Sequence, residues 1–143
     1  MFQIPRNYSV PVSPELTQLL VDITEKHFRA RGKDRGIRAV TVNFRDPDYS
    51  TDAGGYHPVE IRIEVSGDKG VLSYITDFCY VGQGWCSELA KELDFDFESG
   101  DFYVLGFPRQ DLANCAEYYA LWQDNFLTYN RMGVFDVSVT VDD

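Results

Sequence analysis

The chain has 143 residues, of which 44% are hydrophobic and 15% aromatic, a composition that is typical of a folded globular protein and excludes general disorder. Its formal net charge is −10 at pH 7, and residues 71–143 carry thirteen acidic side chains against three basic ones. Because contact with phosphates requires positive charge, we expect no direct binding to a nucleic-acid backbone; the acidic half suits a solvated face, a basic protein partner or mimicry of a nucleic acid.

The first helix is predicted to begin after Ser13, a good N-cap residue that is followed by Pro14 at the first helical position, and to end at Gly32. Two strands are expected next. Residues 37–44 are rich in β-branched side chains, and residues 58–66 alternate apolar with polar side chains. This alternation is typical of an antiparallel strand with one buried face.

The middle of the chain is harder to assign. Residues 66–70 predict a hairpin turn into a long strand over 71–81, whose apolar side chains on both faces suit a central position in a sheet. Residues 82–93 suggest a glycine loop followed by a short helix. The segments 93–97 and 102–107 suggest a small hairpin, because apolar residues recur at every second position in each.

The last helix has the clearest pattern. Apolar side chains recur every three or four residues between Asp111 and Gly133, which predicts an amphipathic helix packed on a sheet. The side chains of this stripe are Leu112, Cys115, Tyr119, Trp122, Phe126 and Tyr129. Residues 134–141 then alternate as a final strand, with Phe135, Val137 and the two valines after it expected to face inward.

This order of elements favours an α+β fold, with a single antiparallel sheet of four to six strands and two main helices packed on one face. The length predicts one domain over residues 1–143, in which residues 1–12 form an extended N-terminal segment. The three cysteines, an odd number without Cys-x-x-Cys spacing, indicate reduced thiols in a cytoplasmic protein. No signal peptide and no membrane span are expected, and the oligomeric state is not determined by the sequence.

The loop of residues 45–58 resembles the start of a calcium-binding loop, because oxygen-bearing side chains occupy every second position from Asp46 to Asp52. An EF-hand loop also needs a glycine at its sixth position, a glutamate at its twelfth and a helix on each side. Here Thr51 and His57 occupy those positions, and strands flank the loop. We therefore predict no metal site, no cofactor and no catalytic residue from the motifs of this sequence.

Binding residues are expected first in this loop, which is longer than most hairpin connections. Tyr49, Tyr56 and His57 have no evident structural use and belong to residue types that are frequent in contact surfaces. Tyr80 and Trp85 are further candidates, because they lie at and after the end of the long third strand, beside the 82–86 glycine turn.

Asp77 is the remaining candidate, because it is a charged residue within the otherwise apolar strand over 71–81. A carboxylate in that position must be paired, hydrogen-bonded or at the rim of the sheet. Arg62 on the neighbouring predicted strand is the expected partner.

Four segments carry a resemblance to a known family. They read YSTDAGGYHPVEIRIE, YITDFCYVGQG, ELAKELDFDF and LWQDNFLTYNRMGVFDVSV. Over roughly residues 10 to 141, the chain resembles an uncharacterised family of γ-proteobacteria, a domain of unknown function. The resemblance implies a small single-domain cytoplasmic bacterial protein, often encoded near mobile genetic elements, and it transfers no catalytic residue.

The leading hypothesis from the sequence is a non-enzymatic binding or interaction module that uses the 45–58 loop. The alternative is a small-molecule-binding domain or hydrolase with a pocket near His57 and Asp77, walled also by Tyr56, Tyr80 and Trp85. A nucleic-acid mimic is a weaker alternative. A deep pocket that contains both His57 and Asp77 is the observation that would favour the second hypothesis.

Overall fold

The structure, a computed structural model, describes residues 2–31, 36–82 and 87–143. Within these residues it contains two α-helices and seven strands, and a short 3-10 turn precedes the second helix. The elements in chain order are helix α1 (Pro14–Arg31), strands β1 (Ala39–Arg45), β2 (Val59–Ser66), β3 (Lys69–Val81), β4 (Glu88–Asp96), β5 (Asp101–Val104) and β6 (Gln110–Asp111), helix α2 (Ala116–Arg131) and strand β7 (Asp136–Asp142).

The strands form one antiparallel sheet in the order β6-β5-β4-β3-β2-β1-β7. Strands β1 to β6 form a meander, in which each strand pairs with the next one along the chain. After α2 the chain returns to the opposite edge, where β7 pairs with β1 over seven residues. Strand β3, the longest, therefore lies at the centre, as its apolar sequence predicts.

One face of the sheet is apolar and packs against both helices. The alternation in β2 produces this face, because Val59, Ile61 and Ile63 are buried while the residues between them face the other side. Both helices and the sheet contribute to a single apolar cluster. The α+β class with one antiparallel sheet and two helices is thus as predicted.

Helix α1 begins as predicted, since the Ser13 hydroxyl accepts a hydrogen bond from the Glu15 backbone N–H. Leu16 and Leu20 are completely buried on its inner face. Gly32, the expected end of this helix, lies outside the described residues. The core of α2 is aromatic: the Trp122 ring stacks on that of Phe126 and also contacts the Phe95 ring of β4.

The N-terminal segment is part of this core. Phe2, Ile4, Val10 and Val12 are all buried, although the segment forms no regular helix or strand. Its backbone is held by hydrogen bonds on both sides of Gln3, which donates to the Asp68 carbonyl and accepts from the Gly70 N–H.

Three predictions about the elements are wrong. The sheet has seven strands rather than four to six, because the pair Gln110–Asp111 forms an edge strand too short to have an alternating pattern. A short helix is predicted within 82–93, but residues 88–93, which the structure describes, belong to β4 instead. The backbone groups of β3 are available for hydrogen bonding there, and β4 pairs with them. Val137 was expected to face inward, but this edge residue is 43% exposed.

Candidate functional site

The 45–58 loop is folded onto itself around one carboxylate. Asp46 accepts hydrogen bonds from the backbone N–H groups of Asp48 and Tyr56, one on each carboxylate oxygen. Ser50 and Gly54 exchange two backbone hydrogen bonds farther along the loop. Asp46 therefore closes the loop, and this use of both oxygens is a structural role rather than that of a calcium ligand.

The aromatic side chains of the loop point toward the body of the protein. The Tyr49 ring lies 5.5 Å from the His57 ring and 5.0 Å from the Tyr80 ring, measured between centroids. The Tyr49 hydroxyl also accepts a hydrogen bond from the Tyr80 backbone N–H. On the other side, the Tyr56 ring lies 4.6 Å from that of Tyr129 on α2.

Asp77 lies on the core face of β3, opposite Val59 of β2. The side chain is buried, and both of its carboxylate oxygens have partners. Oδ2 accepts a hydrogen bond from the Trp122 indole Nε1–H at 2.9 Å, and Oδ1 lies 2.9 Å from Nδ1 of His57. The predicted partner, Arg62, lies on the opposite face of the sheet and pairs with Glu64 and Asp142 instead. Arg62 is three positions after Val59, the residue opposite Asp77, and side chains an odd number of positions apart in a strand lie on opposite faces.

A second carboxylate reaches the same histidine because of a β-bulge. Asp77 pairs with Leu93 and Phe78 with Lys91, so Glu92 is an extra residue with no opposite partner on β3. Bulges of this kind redirect a side chain and are frequent beside functional sites. Here Oε2 of Glu92 lies 2.6 Å from Nδ1 of His57.

The electrostatics of this cluster favour a protonated histidine. The pKa of His57 is raised above its ordinary value, chiefly by the hydrogen bond to Asp77 and further by the charges of Asp77 and Glu92, although partial burial acts in the opposite direction. The pKa of the nearby Cys79 thiol is also raised, by burial and by the same two carboxylates. Cys79 is therefore a neutral thiol at neutral pH and a poor nucleophile.

A cavity of about 370 Å³ opens between the loop and α2. His57 and Asp77 both line it, so the two residues on which the small-molecule hypothesis rests share one cavity. The other lining residues are Gly55, Tyr56, Val59, Trp122, Asn125, Phe126, Tyr129 and Phe135. Most of the lining residues are thus aromatic, and half of them are residues of α2 together with Phe135.

Five of the six residues predicted for binding lie in two groups in the structure. Tyr49, Tyr80 and His57 form one group with Asp77, while Tyr56 packs on α2. Tyr80 is not among the residues that line the cavity. Trp85, the sixth candidate, lies outside the described residues.

Two residues of this arrangement, Glu92 and Trp122, were not predicted. The sequence predicts a helix at Glu92, and no sequence signal marks the bulge that turns this residue toward His57. The sequence places Trp122 in the apolar stripe of the last helix, and Trp122 is buried on α2. A buried indole N–H needs an acceptor, and a carboxylate within an apolar strand needs a donor. These two requirements are the sequence signal that could have paired Trp122 with Asp77.

A family model described as a protein of unknown function, DUF2787, matches residues 14–140. The chain belongs to this family. The resemblance to an uncharacterised family, a domain of unknown function, is therefore confirmed, and membership in DUF2787 assigns no activity. No curated protein matches the chain.

The solved structures that are similar to this DUF2787 protein include two from Vibrio cholerae. A hypothetical protein from the VSP-II pathogenicity island is 35% identical, with a TM-score of 0.80 over 98% of this chain and 99% of that one. A conserved hypothetical protein from pathogenicity island VPI-2 is 37% identical, with a TM-score of 0.80 over 96% and 99% of the two chains. The second is described as sharing structural homology with the human P32 protein.

Neither relative carries a described function, so the function of this DUF2787 protein must be argued from its own site. Among the described residues, no helix has the length and apolar character needed to cross a membrane.

Proposed function

We propose that the protein is a small-molecule-binding domain whose ligand occupies the cavity between the 45–58 loop and α2. The observation that carries this proposal is that one cavity of about 370 Å³ is lined by both His57 and Asp77. Ligand pockets commonly have volumes of roughly 300–1,000 Å³, mainly apolar walls and a few convergent polar groups. This cavity has such walls and groups, and its volume is at the lower end of that range.

The orientation of the loop supports a pocket over a flat contact surface. Protein contact surfaces are enriched in aromatic side chains that a partner can reach. In this loop Tyr49 packs against His57 and Tyr80, and Tyr56 packs against Tyr129. The most exposed part of the loop, residues 51–55, reads Thr-Asp-Ala-Gly-Gly and carries no aromatic side chain. The interaction-module alternative therefore has less support from the geometry than the pocket has.

The lining side chains indicate the chemistry of the ligand. Trp122, Phe126 and Phe135 provide apolar, aromatic wall, while His57 and Asn125 provide hydrogen-bonding groups. A small planar or short-chain molecule with an apolar body and one polar head group fits these walls. Its head group would lie at the His57 end, where the two carboxylates hold the imidazole in place.

Ligand-observed NMR with a library of small metabolites, followed by calorimetric titration of the hits, tests this proposal. Asn125→Trp places a large side chain at the edge of the cavity from an exposed position on α2, so the fold should be kept. We expect this substitution to weaken binding by at least about tenfold. Asp124→Trp is the matched control, because the neighbouring residue is exposed on the same helix but does not line the cavity.

Equal binding to the wild type and to the Asn125→Trp variant would contradict the pocket. If Asn125→Trp leaves binding of the hits unchanged and substitution of Thr51 and Asp52 at the loop tip abolishes it, the loop itself is the contact surface.

A further inference from the structure

We propose that His57, Asp77 and Glu92 form a binding site for a divalent metal ion at one end of this cavity, and that the ion takes an oxygen-donor head group of the ligand. The inference deepens the proposed function, on which its second half rests. The metal site itself stands on the geometry of the three side chains and can be tested without any ligand.

The three ligand atoms already have the spacing of a metal site. His57, Asp77 and Glu92 each offer one ligand atom, and these three atoms all lie within 4.8 Å of one another. Nδ1 is 2.9 Å from the Asp77 oxygen and 2.6 Å from the Glu92 oxygen. When metal–ligand bonds are about 2.1 Å long, two ligand atoms at right angles are about 3 Å apart. The distance from Nδ1 to Asp77, 2.9 Å, matches that value, and the distance to Glu92, 2.6 Å, is somewhat shorter.

A hydrogen bond alone satisfies this arrangement poorly. A ring nitrogen carries at most one hydrogen, so two carboxylate oxygens compete for one N–H on Nδ1. The two carboxylates also bring two negative charges together, and a protonated His57 supplies only one positive charge. A divalent cation would contact the nitrogen and both carboxylates at once and would neutralise both charges.

The surroundings hold the ligands in position. The Trp122 indole donates to Oδ2 of Asp77, which leaves Oδ1 for the metal. Hydrogen bonds of this kind to a ligating carboxylate orient it, and losing one commonly lowers metal affinity by about 10–100-fold. The bulge in β4 is the feature that brings Glu92 into the site, because a regular strand would place this residue on the face opposite Leu93.

The donor set predicts the class of metal and of ligand. One imidazole nitrogen and two carboxylate oxygens suit Mn²⁺, Fe²⁺, Co²⁺ or Zn²⁺ rather than a soft ion that prefers thiolates. Three protein ligands leave coordination positions open, and these would face the cavity because His57 and Asp77 line it. A ligand with a carboxylate or phosphate head group would bind there through its oxygen, with its apolar body against the aromatic walls.

Titration of the chelator-treated protein with Mn²⁺, Co²⁺ and Zn²⁺ by calorimetry tests the metal site. Glu92→Gln keeps the size of a partly exposed side chain and removes its charge, so this variant should fold. We expect the affinity for the bound ion to fall by at least about tenfold in Glu92→Gln. Glu88→Gln is the matched control, because Glu88 is exposed on the same strand and is not part of the cluster.

The visible absorption of bound Co²⁺ gives a second measurement, because its bands report the ligands around the ion. They should change in Glu92→Gln and in Trp122→Phe but not in Glu88→Gln. The proposal would be overturned if the wild type bound none of the three ions more tightly than the Glu92→Gln variant does. If cavity ligands still bind the metal-free protein in that case, the proposed function stands and only the metal site fails.

Discussion

Asp77 is the side chain on which the candidate site most depends. It is a buried carboxylate on the core face of a central strand, and such a group is costly unless hydrogen-bonded. Trp122 satisfies one oxygen and His57 approaches the other. The two partners come from α2 and the 45–58 loop, so one residue connects three separate parts of the chain.

Trp122→Phe should destabilise the protein. The substitution keeps an aromatic ring but leaves Oδ2 of Asp77 buried without its donor, which costs roughly 2 kcal/mol of the free energy of unfolding. Urea unfolding followed by circular dichroism measures the change. In an Asp77→Asn background the same substitution should cost about 1 kcal/mol less, since the buried charge is absent. Equal costs in the two backgrounds would contradict the interaction.

Arg131→Gln should raise the pKa of the Glu15 carboxyl. Arg131 donates two hydrogen bonds of 2.8 Å to Glu15, and this interaction lowers the pKa of the carboxyl in the folded protein. A lowered folded-state pKa means that the stabilisation is present above the unfolded value of about 4.3 and is lost as the pH falls through the folded value. An NMR titration of the side-chain carboxyl carbon measures the shift.

Arg109→Gln is the control for this titration, because Arg109 pairs with Asp94 near the other edge of the sheet. It should leave the Glu15 titration unchanged. An unaltered Glu15 pKa in Arg131→Gln would show that the ion pair does not form in solution.

At the scale of elements, the 45–58 loop and strand β4 build the site by different means. The loop closes through Asp46 and delivers His57, and these polar and glycine residues are visible in the sequence. Strand β4 delivers Glu92 only because it pairs with β3 through a bulge. Its Glu, Leu, Ala and Lys residues favour a helix locally, and pairing with a distant strand overrides that preference.

Gly55→Ala should disrupt the loop more than Gly54→Ala. Gly55 has φ +132°, and an added Cβ would lie 2.8 Å from the Asp46 carboxylate and 3.0 Å from the Tyr49 backbone. We expect a loss of roughly 3 kcal/mol in unfolding free energy from strain and steric overlap. Gly54 has φ +71° with open space around it, so its substitution should cost only about 1 kcal/mol.

Urea unfolding of the two glycine variants measures this difference. The ring signals of His57 in NMR spectra should also shift in Gly55→Ala, because the loop that carries the histidine must move. Equal destabilisation by both substitutions would mean that the close approach to Asp46 is not maintained in solution.

At the scale of the whole molecule, the core extends beyond the segment that the family model covers. That model starts at residue 14, whereas buried side chains of the core begin at Phe2. The N-terminal segment lies along the β2–β3 turn, where Gln3 bridges to Asp68 and Gly70. It is therefore part of the same folded unit as the sheet.

A chain that begins at Ser13 should fail to fold stably. Removal of Phe2, Ile4, Val10 and Val12 forfeits roughly 6–12 kcal/mol of apolar burial at 1.5–3 kcal/mol for each side chain. This loss is offset only in part by the entropy of the segment, and it is comparable with the total stability of about 5–15 kcal/mol for a native protein. Thermal melting by circular dichroism measures the result.

The control for the truncation is a full-length chain with Gln3→Ala and Arg6→Ala, both exposed positions, which should melt close to the wild type. A cooperative transition in the shortened chain at the wild-type temperature would contradict a role of the segment in the core.

The sequence alone determined the elements whose patterns are local. Ser13 and Pro14 mark the start of α1, the period of two in β2 and β7 identifies strands, and the stripe centred on Trp122 identifies α2. The α+β class follows from their order, because hairpin links favour antiparallel neighbours. His57 and Asp77 were also singled out, since a histidine in a long loop and a charge in an apolar strand are visible without a structure.

Only the tertiary structure decided which of these residues meet. Arg62 lies on β2, the strand next to that of Asp77, but its side chain is on the other face of the sheet. Trp122 is 45 positions from Asp77 in the chain and donates a hydrogen bond to it. Glu92 reaches His57 because a single extra residue interrupts the pairing of β3 with β4. Such contacts depend on register and packing between distant segments, and local propensity carries no information about either.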